Sequence, residues 1–90
     1  MINAILIDPA DSVATVLTEV SAGTEVAFVC EEETVRVTAL QNIPRYHKIA
    51  VRDMAHGERV IKYGESIGLA TKPIRTGEHV HTHNLSSDGR

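Results

Sequence analysis

A pattern repeated around three glycines constrains the fold of this 90-residue chain more than any other feature. Gly23, Gly57 and Gly77 each follow an apolar residue by three positions and precede a valine by three positions. Apolar residues on both sides of a short polar segment indicate two strands that enter the core on either side of a tight turn. The glycine predicts a backbone with positive φ, a conformation that a Cβ would oppose.

Each copy of this pattern extends backward into an apolar run, so that residues 13–26, 47–60 and 67–80 align with one another. The copies are unevenly spaced, which excludes a regular solenoid. Chance similarity among short valine-rich segments is the alternative, because one family of turns can produce it without a true repeat. We interpret the three copies as one structural unit, made of a strand, a tight polar turn and a second short strand.

Other segments extend the β pattern. Residues 25–30 and 34–38 predict a hairpin around the acidic turn Glu31–Glu33, and an apolar run at 4–7 predicts a strand. Gly68, inside the strand-like segment 66–70, indicates a bulge or a close backbone approach. Short helical turns are expected near residues 16–20 or 51–55. The predicted fold is mainly β, compact and built on long-range pairings.

Length and composition limit the class of protein. A chain of this size forms one domain, which we predict over residues 1–85, with a flexible tail at 86–90. The net charge of −3 and the absence of tryptophan argue against nucleic acid as a partner. The single Cys30 allows no internal disulfide and no cysteine-rich zinc site. The N-terminus does not resemble a signal peptide, and no apolar run approaches the ~20 residues of a membrane span, so we expect a soluble, cytoplasmic chain.

Three histidines near the C-terminus are the strongest candidates for chemistry. His79, His81 and His83 alternate with Val80 and Thr82, so a strand would place all three imidazoles on one face. Neighbouring rings on such a face, ~6.6 Å apart along the strand, can share one metal ion, and a further ligand would come from elsewhere. They could also move a proton or contact an anion. The alternative is a hydrophilic edge strand with partly exposed rings.

Two further segments carry candidate binding residues. Arg45, Tyr46, His47 and Lys48 offer a guanidinium, a phenol, an imidazole and an ammonium in succession, which suits an anionic substrate. A solvated loop is the alternative. Lys62–Glu65 forms the second segment, in which Gly64 allows a turn or a close approach to a ligand. Lys62 and Tyr63 alternate, so that one of them points inward. Its alternative is a routine turn with the tyrosine packed on the core.

Three strings together resemble the SAF-type domain of the altronate and galactarate dehydratase family. They are His47–Ala50, Val60–Gly68 and Gly77–Leu85, and the resemblance extends from about Asp11 to Leu85. The small subunit of sulfolactate sulfo-lyase has the same type of domain. The family's usual pattern has a glycine before the His-Lys pair, where this chain has Tyr46.

The resemblance implies a β-clip-like fold and a function in a lyase. It implies the small subunit or N-terminal domain of an altronate-type hydro-lyase, which removes water from a polyhydroxy acid with a larger catalytic chain and is inactive alone. The alternatives are the small subunit of a sulfolactate sulfo-lyase and, from another class, a non-catalytic sugar-binding module. A divalent metal, iron (Fe²⁺), is implied as cofactor, supplied jointly with the partner chain. A homo-oligomer is also possible.

The same resemblance assigns residues by position. His81, His83 and Asn84 match active-site positions, and His81 and His83 would help to ligate the metal or move the proton lost from the α-carbon. His47, Lys48, Lys62 and Tyr63 match positions that hold the substrate's acid groups or support the fold.

Overall fold

The computed structural model describes residues 1–87, and this part of the chain consists of strands, turns and bends without a helix. The strands are β1 (Ala4–Ile5), β2 (Val13–Val16), β3 (Glu25–Cys30), β4 (Glu33–Thr38), β5 (Lys48–Ala50), β6 (Arg59–Lys62), β7 (Glu65–Ala70), β8 (His79–Val80) and β9 (Leu85–Ser86). They form a four-stranded sheet in the order β1-β2-β5-β8, the hairpin β3-β4, and a three-stranded sheet in the order β6-β7-β9. The mainly β prediction is confirmed. No helix able to cross a membrane occurs within residues 1–87.

The glycine-centred turns have the predicted geometry. Gly23, Gly57 and Gly77 have φ values of +90°, +87° and +97°. In each turn the residue after the glycine donates its N–H to the carbonyl two positions before the glycine, at 3.0 Å. The apolar residues on both sides of each turn are all buried: Val20, Val26, Met54, Val60, Ile74 and Val80.

A fourth copy of the same unit occupies residues 40–49. Ile43 and Ile49 are fully buried at the two apolar positions, and His47 donates its N–H to the carbonyl of Pro44 at 3.0 Å. Tyr46 stands where the other copies have glycine, with φ of +68°. This copy escaped the sequence alignment because it lacks both the glycine and the valine that define the pattern.

The four copies divide the chain into two similar halves. Copies 17–26 and 40–49 flank the hairpin β3-β4, and copies 51–60 and 71–80 flank the hairpin β6-β7. Bridges between the paired copies join Val20 to Ile43 and Met54 to Ile74. Each half has its own hydrophobic cluster, one around Ile43 and Ile49 and the other around Met54 and Ile74. The fold is therefore an internally duplicated β structure.

Two details of the sequence-based fold are wrong. The expected helical turns near residues 16–20 and 51–55 are bends, because Val20 and Met54 are held in the bridges between copies. The tail does not begin at residue 86, because Ser86 pairs with Leu69 in the sheet. Residues 88–90 of the predicted tail lie outside the described residues. Glycine at position 68 allows Ser86 to pair with Leu69, because a Cβ on residue 68 would collide with the carbonyl oxygen of Ser86.

Candidate functional site

The strand that carries the histidines is shorter than predicted. β8 ends at Val80, and residues 81–84 turn back instead of continuing the strand through His83. The buried side chain of Asn84 holds this turn: its Oδ1 accepts the N–H of His81 at 2.9 Å, and its Nδ2 donates to the carbonyl of His79 at 2.9 Å. Asn84 also donates its backbone N–H to the carbonyl of His81 at 3.1 Å.

The turn nevertheless keeps the imidazole rings together. The rings of His79 and His81 lie nearly parallel with centroids 5.6 Å apart, and the ring of His83 lies 5.2 Å from that of His79. His47 joins this group from the turn of the 40–49 copy, 4.5 Å from the ring of His81. A hydrogen bond of 2.9 Å links His47 Nδ1 to His79 Nε2. We call these four residues the histidine cluster.

The pairing of β5 with β8 explains why the rings meet. Ile49 lies opposite His79 and Lys48 opposite Val80 in an antiparallel register. His47, immediately before β5, is thereby brought beside the end of β8. The cluster thus forms where the first half of the chain meets the second.

Three members of the cluster form a candidate metal centre. One ligand atom from each of His47, His79 and His81 lies within 4.8 Å of the others, and His83 is not part of this group. Imidazole nitrogens suit iron, zinc, copper and nickel, whereas magnesium and calcium prefer oxygen ligands. The donor set therefore fits a divalent transition metal such as Fe²⁺.

This grouping differs from the ligand pair expected from the sequence, His81 and His83. The resemblance implies substrate binding for His47 and gives His79 no function, although the alternation of the histidines includes His79 among the candidate ligands. A four-copy alignment would have marked His47, because the equivalent positions 58 and 78 carry glutamates. These glutamates each cap their own turn by accepting a backbone N–H.

The electrostatics of the site favour neutral imidazole at His79. Burial, followed in order of effect by the neighbouring His47, His83, His81 and Lys48, lowers the pKa of His79 to about 4. At neutral pH the ring is therefore uncharged, which is the form that binds metal.

Of the two predicted lysines, Lys48 lies near His79 in the cluster, and Lys62 lies near Lys48. Lys48 is half-buried in β5, and its pKa is lowered by this burial and by the nearby charge of Lys62. Lys62 ends β6, and its Nζ lies 4.8 Å from the ring centroid of Tyr63. Tyr63 itself is exposed in the β6-β7 turn with φ of +57°, so Lys62 is the half-buried member of that pair.

The site as a whole is an open face of imidazole and ammonium groups. His47 and His79 are half-buried, whereas His81 and His83 are exposed to solvent. Such a face can hold a metal ion through the imidazoles and an acid group through the lysines. His81, His83 and Asn84, the predicted active-site residues, all lie in the turn that borders it.

The sequence of this chain is similar to those of known lyases and to a family profile. The sequence profile of the altronate/galactarate dehydratase SAF domain matches residues 2–88. Altronate dehydratase from Escherichia coli (strain K12) is 44% identical over 78 residues, which cover 87% of this chain and 15% of that enzyme. The chain thus spans only a small part of that relative.

Relatives of similar length also match. The alpha subunit of (2R)-sulfolactate sulfo-lyase from Chromohalobacter salexigens is 38% identical over 89 residues, covering 96% of this chain and 95% of that subunit. The corresponding subunit from Paracoccus pantotrophus is 47% identical over 52 residues, covering 58% of this chain and 78% of that subunit. With a profile match over nearly the whole chain, this protein belongs to the altronate/galactarate dehydratase SAF domain family.

Proposed function

We propose that this chain is the SAF component of a hydro-lyase that eliminates water from a polyhydroxy acid, as a small subunit or an N-terminal domain. The observation that carries the proposal is the grouping of His47, His79 and His81 beside the half-buried Lys48. The similarity of this chain to altronate dehydratase supports a sugar acid as the substrate.

In this proposal the histidines bind the metal and the lysines bind the substrate. His47, His79 and His81 would hold the divalent metal, for which we propose Fe²⁺. When bound, such an ion supplies a Lewis acid that polarises an oxygen of the substrate. Lys48 and Lys62 bind the substrate carboxylate, with Tyr63 at the rim beside Lys62.

The remaining predicted residues have different functions in this scheme. His83 lies outside the ligand group and is exposed, so its imidazole is free to accept the proton that leaves the α-carbon. Asn84 is fully buried and bonded to the backbone of His79 and His81, so it positions these two residues.

A larger catalytic chain completes the active site in our proposal. His81 and His83 are exposed, so a substrate bound there would face solvent on one side unless another chain covered it. Relatives named as an alpha subunit support an enzyme with several subunits. The metal would be shared with that chain, and the isolated SAF chain would have no turnover. A cytoplasmic location, and a homo-oligomer of this chain, stay predictions.

A second function is favoured by one observation. The alpha subunit of (2R)-sulfolactate sulfo-lyase from Chromohalobacter salexigens is similar to this chain over 96% of its residues, at 38% identity. The alternative is therefore the small subunit of a lyase that releases sulfite from sulfolactate. An assay of the complex with both acids separates the two, because only one substrate leads to sulfite.

A non-catalytic sugar-binding module is the remaining alternative. Saturable binding of neutral sugars by the chain alone, with no effect of substitutions in the histidine cluster, would favour it over a lyase component.

The proposed function is tested in the complex reconstituted with the larger chain. We expect His81→Ala to lower both metal content and turnover by at least about tenfold, because it removes a ligand. His83→Ala should retain the metal and lose turnover, because the proton acceptor is lost. Unchanged metal content and turnover in both variants would refute the proposal.

A further inference from the structure

The turn of the 40–49 copy departs from the other three copies at the position before the His-Lys pair. Tyr46 has φ of +68°, where the other copies have glycine. A side chain in the left-handed region is unfavourable, and such residues cluster at functional sites. Glu31, Glu32 and Tyr63 also have positive φ, but they lie at the turns of the two hairpins, outside the four copies. Tyr46 therefore needs an explanation beyond the geometry of the turn.

The next residue departs from the repeat as well. In two other copies the side chains of Glu58 and Glu78 accept the backbone N–H that opens their own turn, at 2.8 and 2.9 Å. At the equivalent position the ring of His47 instead bonds to His79 across the sheet. The 40–49 turn thus lacks both the glycine and the glutamate cap that stabilise the turns at Gly57 and Gly77. Such exceptions to a local rule occur preferentially at functional sites.

The 40–49 turn instead carries a guanidinium paired with a phenol, those of Arg45 and Tyr46. Arg45 Cζ lies 4.7 Å from the ring centroid of Tyr46, and Arg45 Nη2 donates a hydrogen bond to Tyr46 Oη at 2.9 Å. Tyr46 is 61% exposed. Because the phenol oxygen accepts from a cation, its own O–H is directed elsewhere and is polarised as a donor. The guanidinium has further N–H donors that remain available.

No carboxylate within residues 1–87 pairs with this guanidinium. Two other arginines are paired in this part of the chain, Arg36 with Glu25 and Arg75 with Glu78. In a chain of net charge −3, an exposed arginine that instead contacts a tyrosine leaves its charge available for an external anion.

We propose that Arg45 and Tyr46 form an arm that binds an oxyanion group, a carboxylate or a sulfonate, of a ligand held at the histidine cluster. The arm is adjacent in sequence to His47, a member of the cluster. It would hold a second acid group of a substrate whose first acid group is bound by the lysines, and in that respect it rests on the proposed function. Ligands with two acid groups would therefore bind more tightly than ligands with one.

The proposal is tested by titrating the chain, loaded with Co²⁺, with tartrate and with sulfoacetate. We expect Arg45→Gln and Tyr46→Phe each to weaken the binding of at least one probe by about tenfold, because each removes a charged or charge-assisted donor. The probe that responds more strongly identifies whether a carboxylate or a sulfonate contacts the arm. Arg36→Gln is the matched control and should change neither affinity.

Tyrosine resonances provide an independent readout. The chain has two tyrosines, so comparison with Tyr46→Phe assigns the ring signals of Tyr46 without ambiguity. We expect the probe to shift these signals. A third variant, Tyr46→Gly, should raise the urea midpoint of unfolding and still weaken probe binding, which separates ligand contact from stability.

Failure of this inference can be told apart from failure of the proposed function. If His81→Ala abolishes metal binding but Arg45→Gln and Tyr46→Phe bind both probes like the unmodified chain, the arm is refuted and the metal site stands. If the unmodified chain binds neither probe, the arm is refuted as well. If the probes bind through Arg45 and Tyr46 while Co²⁺ fails to bind, the arm stands and the metal-dependent function fails.

Discussion

Asn84 illustrates how one buried amide can hold the backbone of two residues of a candidate site. Its side chain uses both its oxygen and its nitrogen to hold the backbone of His81 and His79, and it is fully buried. The string around it predicts an active-site residue, whereas its hydrogen bonds lead us to expect a positioning function. The two possibilities lead to different results when the side chain is removed.

Asn84→Ala should lower the free energy of unfolding by about 2–3 kcal/mol, because it leaves a backbone N–H and a carbonyl near the core without partners. Urea denaturation measures this loss. Asn42→Ala is the control: its Oδ1 accepts the N–H of Ala22 at the surface, so the loss should stay below about 1 kcal/mol. Full stability of Asn84→Ala combined with loss of turnover in the complex would instead indicate a direct chemical function.

His79 makes the stability of the metal-free chain depend on pH. Its pKa is about 4 in the folded protein and 6.5 in its ordinary range, because burial and nearby cationic groups disfavour the imidazolium. Between these values the unfolded chain binds a proton that the folded chain does not. The free energy of unfolding should therefore fall as the pH drops from about 6.5 towards 4.

Urea denaturation of the metal-free chain at pH 7.5, 5.5 and 4.5 measures this dependence. His79→Gln removes the titrating group and should flatten the curve between pH 6.5 and 4 relative to the unmodified chain. Identical pH dependence in both proteins would show that the His79 imidazole does not carry the effect.

At the scale of elements, local patterns predicted most of the fold. The turns at Gly23, Gly57 and Gly77 and the hairpin of β3 and β4 follow from glycine positions and from alternation, which depend on neighbouring residues only. The 40–49 copy was missed because Tyr46 breaks the local rule. Its geometry is imposed by long-range bonds, including that from Tyr46 N–H to the carbonyl of Val16.

The site was harder to predict because it depends on contacts distant in sequence. Alternation correctly placed His79 and His81 near each other, but it could not reveal that Asn84 ends the strand. Nor could it pair His47 with His79, which requires the register of β5 against β8. The residue types thus indicated imidazole chemistry, whereas the identity of the grouped histidines depended on the pairing of β5 with β8.

Gly57 and Gly77 provide a matched test of the duplicated turn. Both have similar positive φ values, but a Cβ on Gly57 would meet nothing within 4 Å. A Cβ on Gly77 would collide with the carbonyl oxygen of Thr38 and lie 3.1 Å from Leu40 Cγ, where the two halves are in contact. We expect Gly57→Ala to cost about 1 kcal/mol from backbone strain alone. Gly77→Ala should cost about 3 kcal/mol or more.

Urea denaturation of Gly57→Ala and Gly77→Ala measures the loss in the free energy of unfolding for each variant. Equal losses would mean that the halves are not packed together at this turn as the structure has them.

At the scale of the whole molecule, the candidate site lies where the two halves join. His47 comes from the last turn of the first half, and His79 and His81 come from the end of the second. Each half has its own hydrophobic cluster, and β5 and β8 pair across the junction. Binding of a metal at this junction would therefore also stabilise the docking of the halves.

Calorimetric titration of the chain with Co²⁺ or, without oxygen, with Fe²⁺ tests the central claim most directly. We predict one ion per chain, with affinity weakened at least about tenfold by His47→Ala, His79→Ala or His81→Ala and by less than about threefold by His83→Ala. A chain that binds no ion, or one whose affinity depends on His83 and not on His47 and His79, would contradict the account.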